Sequence, residues 1–544
     1  MLEEARRDSL ISGPAWVDSP HSSIANALWA AARSHAVWLT FHGGSAAQPL
    51  SFAEAFSLAG RWARSLREGG VRPGDRVAIL QPNGPGFVGA FLGTQLAGAT
   101  AVPLPWPVVA AAGQRNHAAL LALIRTADAA AIAAPADFEA ARGFGLPVVA
   151  APALAPEACS AETDPAQASF IQFTSGTTDA PRGAVISHRA AVASAWAMGL
   201  ALGLDERDVG VSWLPLFHDM GLVGVLLCSL LFRFQIHLMS PGEFLLRPRR
   251  WLELLAETRA TLTVAPNFGY ELAVRRAGPA KDLDLSRLRN ALDGSEPVHR
   301  ATLDGFERRF ALPKGTVRPV YGLAENTLGV CFGDGAAADL VWEGRAVPSV
   351  GRPLPGTLVS TRLENGAAAP EGAVGEIAVR GPGLMTGYFR APAATAAALR
   401  GGWLYTGDLG VIQGERLHVT GREKDLVIKN GRKFHPYDIE RIVAAAVDAP
   451  PGGVVAFSIS NPGSGTEDLV VVAELRRRTD EAALLRLVRG RLLEELGVRP
   501  ERLRLVGPGA LPRTTSGKLR RRACAALFGE PDPTENLARP GSQE

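Results

Sequence analysis

The sequence predicts an α/β protein: a large N-terminal domain of βαβ sheets that includes a small β-rich subdomain, then a small α+β C-terminal domain. Three observations carry that expectation. Short β-rich runs alternate with helical patterns, the signature of strands joined by crossover helices in a largely parallel sheet. After residue 350 or so the texture changes to short strands punctuated by glycine, "GEIAVRGP", "GWLYTGDLGVIQGERLHVTG" and "DLVIKNG". At 544 residues the chain is also too long for one core and must divide into several folded units.

The elements follow in order. Residues 22–70 read as a helix, the strand-like "VWLTF", and a second helix in "SFAEAFSLAGRWARSLREGG", with Ser51 as N-cap and Gly69–Gly70 as the stop. "DRVAIL" and "ATAVPLP" read as buried strands around the apolar helix "GFVGAFLGTQLAGA". "AAIAAP", "SFIQFTSG", a helix after "SHRAAVASAWAMG", "VGVSWLP" and "ATLTVAP" continue the alternation. The boundary falls between residues 1–421 and 422–544. The second part holds "VVVAEL", the amphipathic helix "DEAALLRLVRGRLLEEL" and, from about residue 529, an end expected to be disordered. There is no internal repeat.

Bulk chemistry narrows the function. Lys plus Arg number 57 against 54 Asp plus Glu, a net charge of +3, which offers no general surface for nucleic acid. Four scattered cysteines (Cys159, Cys228, Cys331, Cys524) form no CxxC pair, which argues against a zinc site or disulfide framework and fits a cytoplasmic protein. "MLEEARRDSL" has acids where a secretory signal would be basic and then apolar. The apolar run "GLVGVLLCSLLF" (221–232) has 12 residues, short of the roughly 17 to 25 that cross a bilayer, so it reads as a buried element. Only six lysines occur, Lys281, Lys314, Lys424, Lys429, Lys433 and Lys518. In a chain that otherwise uses arginine, a retained lysine points either to work needing a compact charge or to chance.

The stretch "FTSGTTDAPRG" (173–183) follows strand-like "SFIQF", so it lies at a strand's C-terminal end, where α/β sheets place ligands. Gly176 allows close backbone approach, and Thr174, Ser175, Thr177 and Thr178 add hydroxyls, the makings of an anion-binding nest. It is not a Walker A loop, which would need Gly and Lys where Pro181 and Arg182 stand. On these residues alone a plain polar turn is the alternative.

Further motifs follow in the chain: "WLPLFHDMGL" (213–222), "YGLAEN" (321–326), "YTGD" (405–408), "GREKDLVIKNGRKFHPYDIE" (421–440) and "TTSGKLRRR" (514–522). With the 173–183 loop, these six in this order resemble the acyl-adenylate-forming superfamily of acyl-CoA synthetases, luciferases and peptide-synthetase adenylation domains. "SWLPLFHDMGLVG", "LMSPGEFLLRPRRWLELLAETRATLTVAPNFGYEL" (238–272), "GSEPV", "YGLAENTL", the 432–436 stretch and Asp179 resemble its fatty acyl-AMP ligase branch. The likeness runs from about residue 25 to 528.

That resemblance implies ATP- and magnesium-dependent activation of a medium- or long-chain fatty acid to an acyl-adenylate, with release of pyrophosphate. The acyl group would then pass to the phosphopantetheine thiol of an acyl-carrier protein, in polyketide, lipopeptide or lipid biosynthesis. It implies a large AMP- and acyl-binding domain and a mobile C-terminal lid. Residues 173–183 would cradle phosphates with Arg182 adding charge, and Glu325 would hold magnesium. Gly294, Ser295, Glu296, Pro297, Tyr321 and Gly322 would wall the adenine pocket. Asp408 would accept the ribose hydroxyls, supported by Arg422. Lys518 would reach the carboxylate and α-phosphate oxygens, and Lys424 would be the hinge. His218 would stand at the acyl entrance, although a packed, hydrogen-bonded histidine is the other reading there, and 221–232 with "PNFGYEL" would line the acyl tunnel.

One departure bears on the acceptor. The branch carries an extra segment after "YGLAE", whereas here 23 residues (326–348) separate Glu325 from Ser349, a length more like a CoA ligase. An acyl-carrier protein is the expected acceptor and CoA the alternative. A chain with no carrier domain of its own is expected to deliver to a separate partner. An amino-acid adenylating module would want an acid in line with His218 to hold an ammonium group, and Asp219 is one residue away. A non-catalytic or nucleic-acid-binding protein would account for the basic 513–522 stretch but not for Glu325, Asp408 and the loop together.

Overall fold

The computed structural model describes residues 9–43, 46–106, 113–150, 162–174, 181–342, 345–429, 432–450, 452–461, 466–475, 480–513 and 519–529. Contacts divide the chain into two compact units, one up to Thr420 and one from Gly421. The expected tail lies, from residue 530 on, outside the described residues.

The first unit contains two sheets with parallel cores rather than one. In the first, the order is Gly387–Tyr388, Arg182–Ser187, Ala168–Thr174, Thr100–Pro103, Arg76–Ile79, Ala131–Ala133, Val148–Val149. The last five run parallel, and the first two close one edge antiparallel. The second sheet has Val317–Gly322, Asn290–Asp293, Leu262–Ala265, Val209–Ser212, Gln235–Met239 and Val37–His42 in parallel, with Gln48–Ser51 antiparallel at its edge. It continues through Gly329–Phe332 into an antiparallel region of Ser349–Pro353, Arg416–Arg422, Trp403–Gln413, Val374–Arg380, Leu358–Arg362 and Leu10–Ser12. Of the glycine-punctuated stretch, "GEIAVRGP" and "GWLYTGDLGVIQGERLHVTG" lie here, whereas "DLVIKNG" belongs to the second unit, where Val427–Lys429 pairs with Arg432–Phe434.

Local chemistry explains the packing. Ser51 caps helix Phe52–Glu68: its hydroxyl accepts from the Glu54 N–H at 3.2 Å, and the Glu54 carboxylate accepts from the Ser51 N–H at 2.8 Å. The helix buries Phe52, Ala55, Ala59, Trp62, Ala63 and Leu66, spaced three or four residues apart. Helix Pro85–Leu96 meets it through two glycines. A Cβ at Gly89 or Gly93 would lie 2.6 or 2.4 Å from Trp62, so only glycine leaves the indole its place. The apolar run 221–232 is buried, as expected, but splits into a π-helix, Met220–Leu227, and an α-helix, Cys228–Phe232. No helix among the described residues is long and apolar enough to cross a membrane.

The stretch between Glu325 and Ser349, short by sequence, still carries a hairpin of its own. Leu340–Trp342 pairs with Arg345–Val347, and Val341 is 76% exposed. Arg300, first residue of helix Arg300–Arg309, clamps its approach. Its guanidinium meets Asp339 at 2.6 Å and donates to the Gly335 and Ala337 carbonyls.

The second unit is an α+β fold by itself. Val454–Asn461 pairs antiparallel with Thr466–Glu474, which runs parallel to Arg502–Val506. Helices Pro436–Val447, Glu481–Leu496 and Arg521–Phe528 accompany this sheet. Asp480 caps the middle helix, accepting from Ala483 N–H, and Gly497 ends it at φ +65°.

Candidate active site

The anion end is built where the first sheet closes. Thr174 pairs with Arg182 across adjacent strands, and its hydroxyl lies 3.4 Å from the Arg182 carbonyl. Ser175, Gly176, Thr177, Thr178 and Asp179 lie outside the described residues. The Arg182 guanidinium lies over the Tyr388 ring, 5.6 Å from its centroid. The Tyr388 hydroxyl donates to Glu325 Oε1 at 2.8 Å. Burial, then the Glu325 charge, raises the proton affinity of the Tyr388 phenol, while Arg182 pulls the other way. The phenol is therefore a donor throughout the physiological range.

Glu325 occupies a single 3₁₀ turn, Ala324–Asn326, and its carbonyl accepts from the Met385 N–H at 2.8 Å. Magnesium takes hard oxygen ligands and is commonly held by one or two carboxylates together with substrate phosphates. A carboxylate anchored by a phenol beside an arginine fits that ion.

The nucleoside end lies on the second sheet. Asn290–Asp293 runs parallel to Val317–Gly322, so the residues following each strand are neighbours. A Cβ on Gly294 would meet the Val320 side chain at 2.6 Å and its carbonyl at 2.8 Å, and one on Gly322 would meet the Leu328 carbonyl at 2.1 Å. Ser295 has φ +74°, a left-handed turn that reverses the chain before Glu296 and Pro297. The Tyr321 hydroxyl donates to Asp408 Oδ2 at 2.8 Å. Asp408 is further fixed by its own turn: its N–H donates to the Thr406 hydroxyl at 3.1 Å, and that hydroxyl donates to the Ile377 carbonyl at 2.8 Å. Asp293, fully buried, has no hydrogen-bond partner for either carboxyl oxygen among the described residues. Desolvation, then the nearby Glu296, pushes it well above the ordinary carboxyl range.

His218 lies in the loop before the π-helix. Its Nδ1 is 2.6 Å from Asp219 Oδ1, and that carboxylate also caps the helix through the Met220 N–H at 2.7 Å. Gln172, on the strand leading to the 173–183 loop, donates to the Phe217 carbonyl at 3.1 Å. Asn83 bonds the Leu214 carbonyl and the Leu216 N–H, at 2.8 and 2.9 Å. These two amides tie the first sheet to the His218 loop. Along Met220–Leu227 every residue is buried except Gly224, where a Cβ would come 3.1 Å from Leu328.

In the second unit, Arg422 ends strand Arg416–Arg422 and Lys424 lies in the turn Glu423–Asp425. Lys518 lies outside the described residues. Its flanks are fixed, because Arg513 bridges Leu519 and the Arg520 N–H donates to the Pro512 carbonyl at 2.9 Å.

Sequence reasoning missed Tyr388, Gln172 and Asn83. For Tyr388 the signal was its aromatic ring beside the glycine of "TGYF"; for the two amides, whose partners are backbone atoms far along the chain, there was none.

Residues 28–389 match the AMP-binding enzyme family. The chain is 38% identical to the 4-hydroxyphenylalkanoate adenylyltransferase of Mycobacterium tuberculosis strain H37Rv, over 84% of this chain and 82% of that protein. It is 36% identical to long-chain-fatty-acid–AMP ligase FadD26 of the same species, over 89% and 92%. A solved structure from a study of fatty acyl-adenylate ligases of E. coli and L. pneumophila superimposes with a TM-score of 0.84 at 31% identity, covering 96% of this chain and all of that one. The order of motifs, the paired parallel sheets and these likenesses agree: the chain belongs to the AMP-binding enzyme family, in its fatty acyl-AMP ligase branch.

Proposed function

We propose that this protein activates a fatty acid as its acyl-adenylate and passes the acyl group to the phosphopantetheine thiol of an acyl-carrier protein. One observation carries the adenylation site: the 2.8 Å bond from Tyr321 to Asp408, which unites motifs 87 residues apart. In the first step a carboxylate oxygen attacks the α-phosphorus of ATP. The new O–P bond forms as the bond to the β-phosphate oxygen breaks, and pyrophosphate leaves with the electron pair. Two anions must meet, so the protein's task is to position them and offset their charge.

Gly294, Ser295, Glu296, Pro297, Tyr321 and Gly322 would bound the base, and Asp408, with Arg422, would accept the ribose hydroxyls. Arg182 and the loop from Thr174 to Thr178 would face the leaving pyrophosphate. Glu325 would hold magnesium, which would supply charge neutralisation at the phosphates. Lys518 would bring a compact cation to the carboxylate and α-phosphate, carried by a C-terminal domain that pivots near Lys424. The thiol then attacks the acyl carbonyl, and AMP leaves with the electron pair. The likeness to AMP ligases supports a carrier protein over CoA as acceptor. Buried, unpaired Cys228, Cys331 and Cys524 suit a reducing cytoplasm.

His218 and Gly224 would border the acyl chain. The test is acid-dependent exchange of labelled pyrophosphate into ATP, over linear acids of about 8 to 16 carbons and 4-hydroxyphenyl alkanoates, a chain-length range set by apolar burial. Exchange with linear acids is expected, and Gly224→Leu should shift the preference towards shorter chains. No exchange with any acid, or an unmoved chain-length profile, contradicts these assignments.

A further inference from the structure

Glu325 is held by one short segment at three points. The Tyr388 hydroxyl donates to its Oε1 at 2.8 Å, the Met385 N–H donates to its carbonyl at 2.8 Å, and two residues on the Thr327 hydroxyl donates to the Gly383 carbonyl at 2.6 Å. Thr327 needs that hold. It is fully buried with φ +62°, a conformation that costs a β-branched residue free energy and persists only where its surroundings over-determine it. Gly383 lies so close that a Cβ there would come 3.0 Å from the Asn326 carbonyl oxygen. The same segment then forms Gly387–Tyr388, pairing Tyr388 with Ala184 and Gly387 with Val185, two and three residues after Arg182. Arg182 in turn lies over the Tyr388 ring. Segment 383–388 thus joins the arginine ending the anion loop to the carboxylate that opens the "YGLAEN" turn.

We infer that Tyr388 is a positioning residue for magnesium-nucleotide binding: its hydroxyl fixes the Glu325 carboxylate, and its ring fixes Arg182, so that the two keep one spacing across the phosphates. This rests on the reading of Glu325 as the magnesium-binding carboxylate. As a donor to Oε1, the hydroxyl holds the carboxylate in one orientation. A carboxylate freed to rotate would have to be ordered when metal and phosphate bind, which weakens that binding.

The test compares wild type with Tyr388→Phe, which keeps the ring, and Thr327→Val, which loosens the same turn from its other end. Calorimetry would measure binding of a non-hydrolysable ATP analogue across a magnesium titration, and of AMP without metal, with a thermal midpoint for each protein. Tyr388→Phe is expected to weaken metal-dependent binding about tenfold and raise the half-saturating magnesium by a similar factor, the scale of one hydrogen bond to a charged group. AMP binding and the thermal midpoint should match wild type, and Thr327→Val should show a smaller change of the same kind. Unchanged magnesium dependence in Tyr388→Phe overturns the inference. So does a parallel loss of AMP binding and thermal stability, which would mark a packing role. If wild type binds the analogue equally with and without magnesium, the metal reading of Glu325 fails first and Tyr388's role with it.

Discussion

Tyr321→Phe removes the 2.8 Å donor to Asp408, the proposed ribose-binding carboxylate, while leaving the ring. A single such bond is worth on the order of 1 kcal/mol, so KM for ATP should rise about fivefold with kcat nearly unchanged, in steady-state pyrophosphate release. Buried histidines make the fold sensitive to acid. Burial holds His188 and His237 near about 4, below the ordinary 6.5, and His42, with its Nε2 3.0 Å from His237 Nδ1, is also lowered. A folded-state value below the unfolded one means the neutral form is the stable one. Stability is therefore full above about 6.5 and declines as pH falls towards about 4. Thermal midpoints across that range should drop, and His188→Asn should flatten the slope; an equal slope in the variant would clear His188 of the effect.

In the second unit the C-terminal helix is pinned by a single acid. Glu440, on helix Pro436–Val447, accepts from Arg521 at 2.8 Å and from the Ala456 N–H at 2.8 Å, and desolvation raises its pKa. Arg521 opens helix Arg521–Phe528, three residues past Lys518. Glu440→Ala leaves a mostly buried guanidinium without that partner and should cost about 3 kcal/mol, read as a lower denaturant midpoint with the same slope. Elements of this kind were legible where the cue was local. Ser51 and Gly69–Gly70 marked the ends of one helix, the run 480–496 read as an amphipathic helix, and alternating runs gave the buried strands. What escaped notice depended on distance along the chain. The hairpin at 340–347 has no turn dipeptide of the usual kind. The split of 221–232 into a π-helix and an α-helix has no cue in its uniformly apolar run, although Gly221 is required where a Cβ would lie 2.2 Å from the Pro215 carbonyl oxygen. Likewise Glu325, Asp408 and Tyr321 stood out within motifs, while Tyr388 gains its meaning only from a bond spanning 63 residues.

Over the whole molecule, chemistry collects where strands end. The two parallel sheets bring the Thr174–Arg182 edge, the turn at Glu325 and the strand end at Asp293 to their carboxyl ends, the usual location of ligands in α/β folds. The antiparallel region carries Asp408. An enzyme assembled this way should make the adenylate in one reaction and hand on the acyl group in another. Mass spectrometry of the products from ATP, magnesium and a fatty acid, run alone, with CoA, and with a phosphopantetheinylated carrier protein, separates the two. Acyl-AMP and pyrophosphate are expected in every arm, with acyl-carrier protein formed and no acyl-CoA. Acyl-CoA as the main product would contradict the carrier-protein assignment, and absence of acyl-AMP from every arm would contradict adenylation itself.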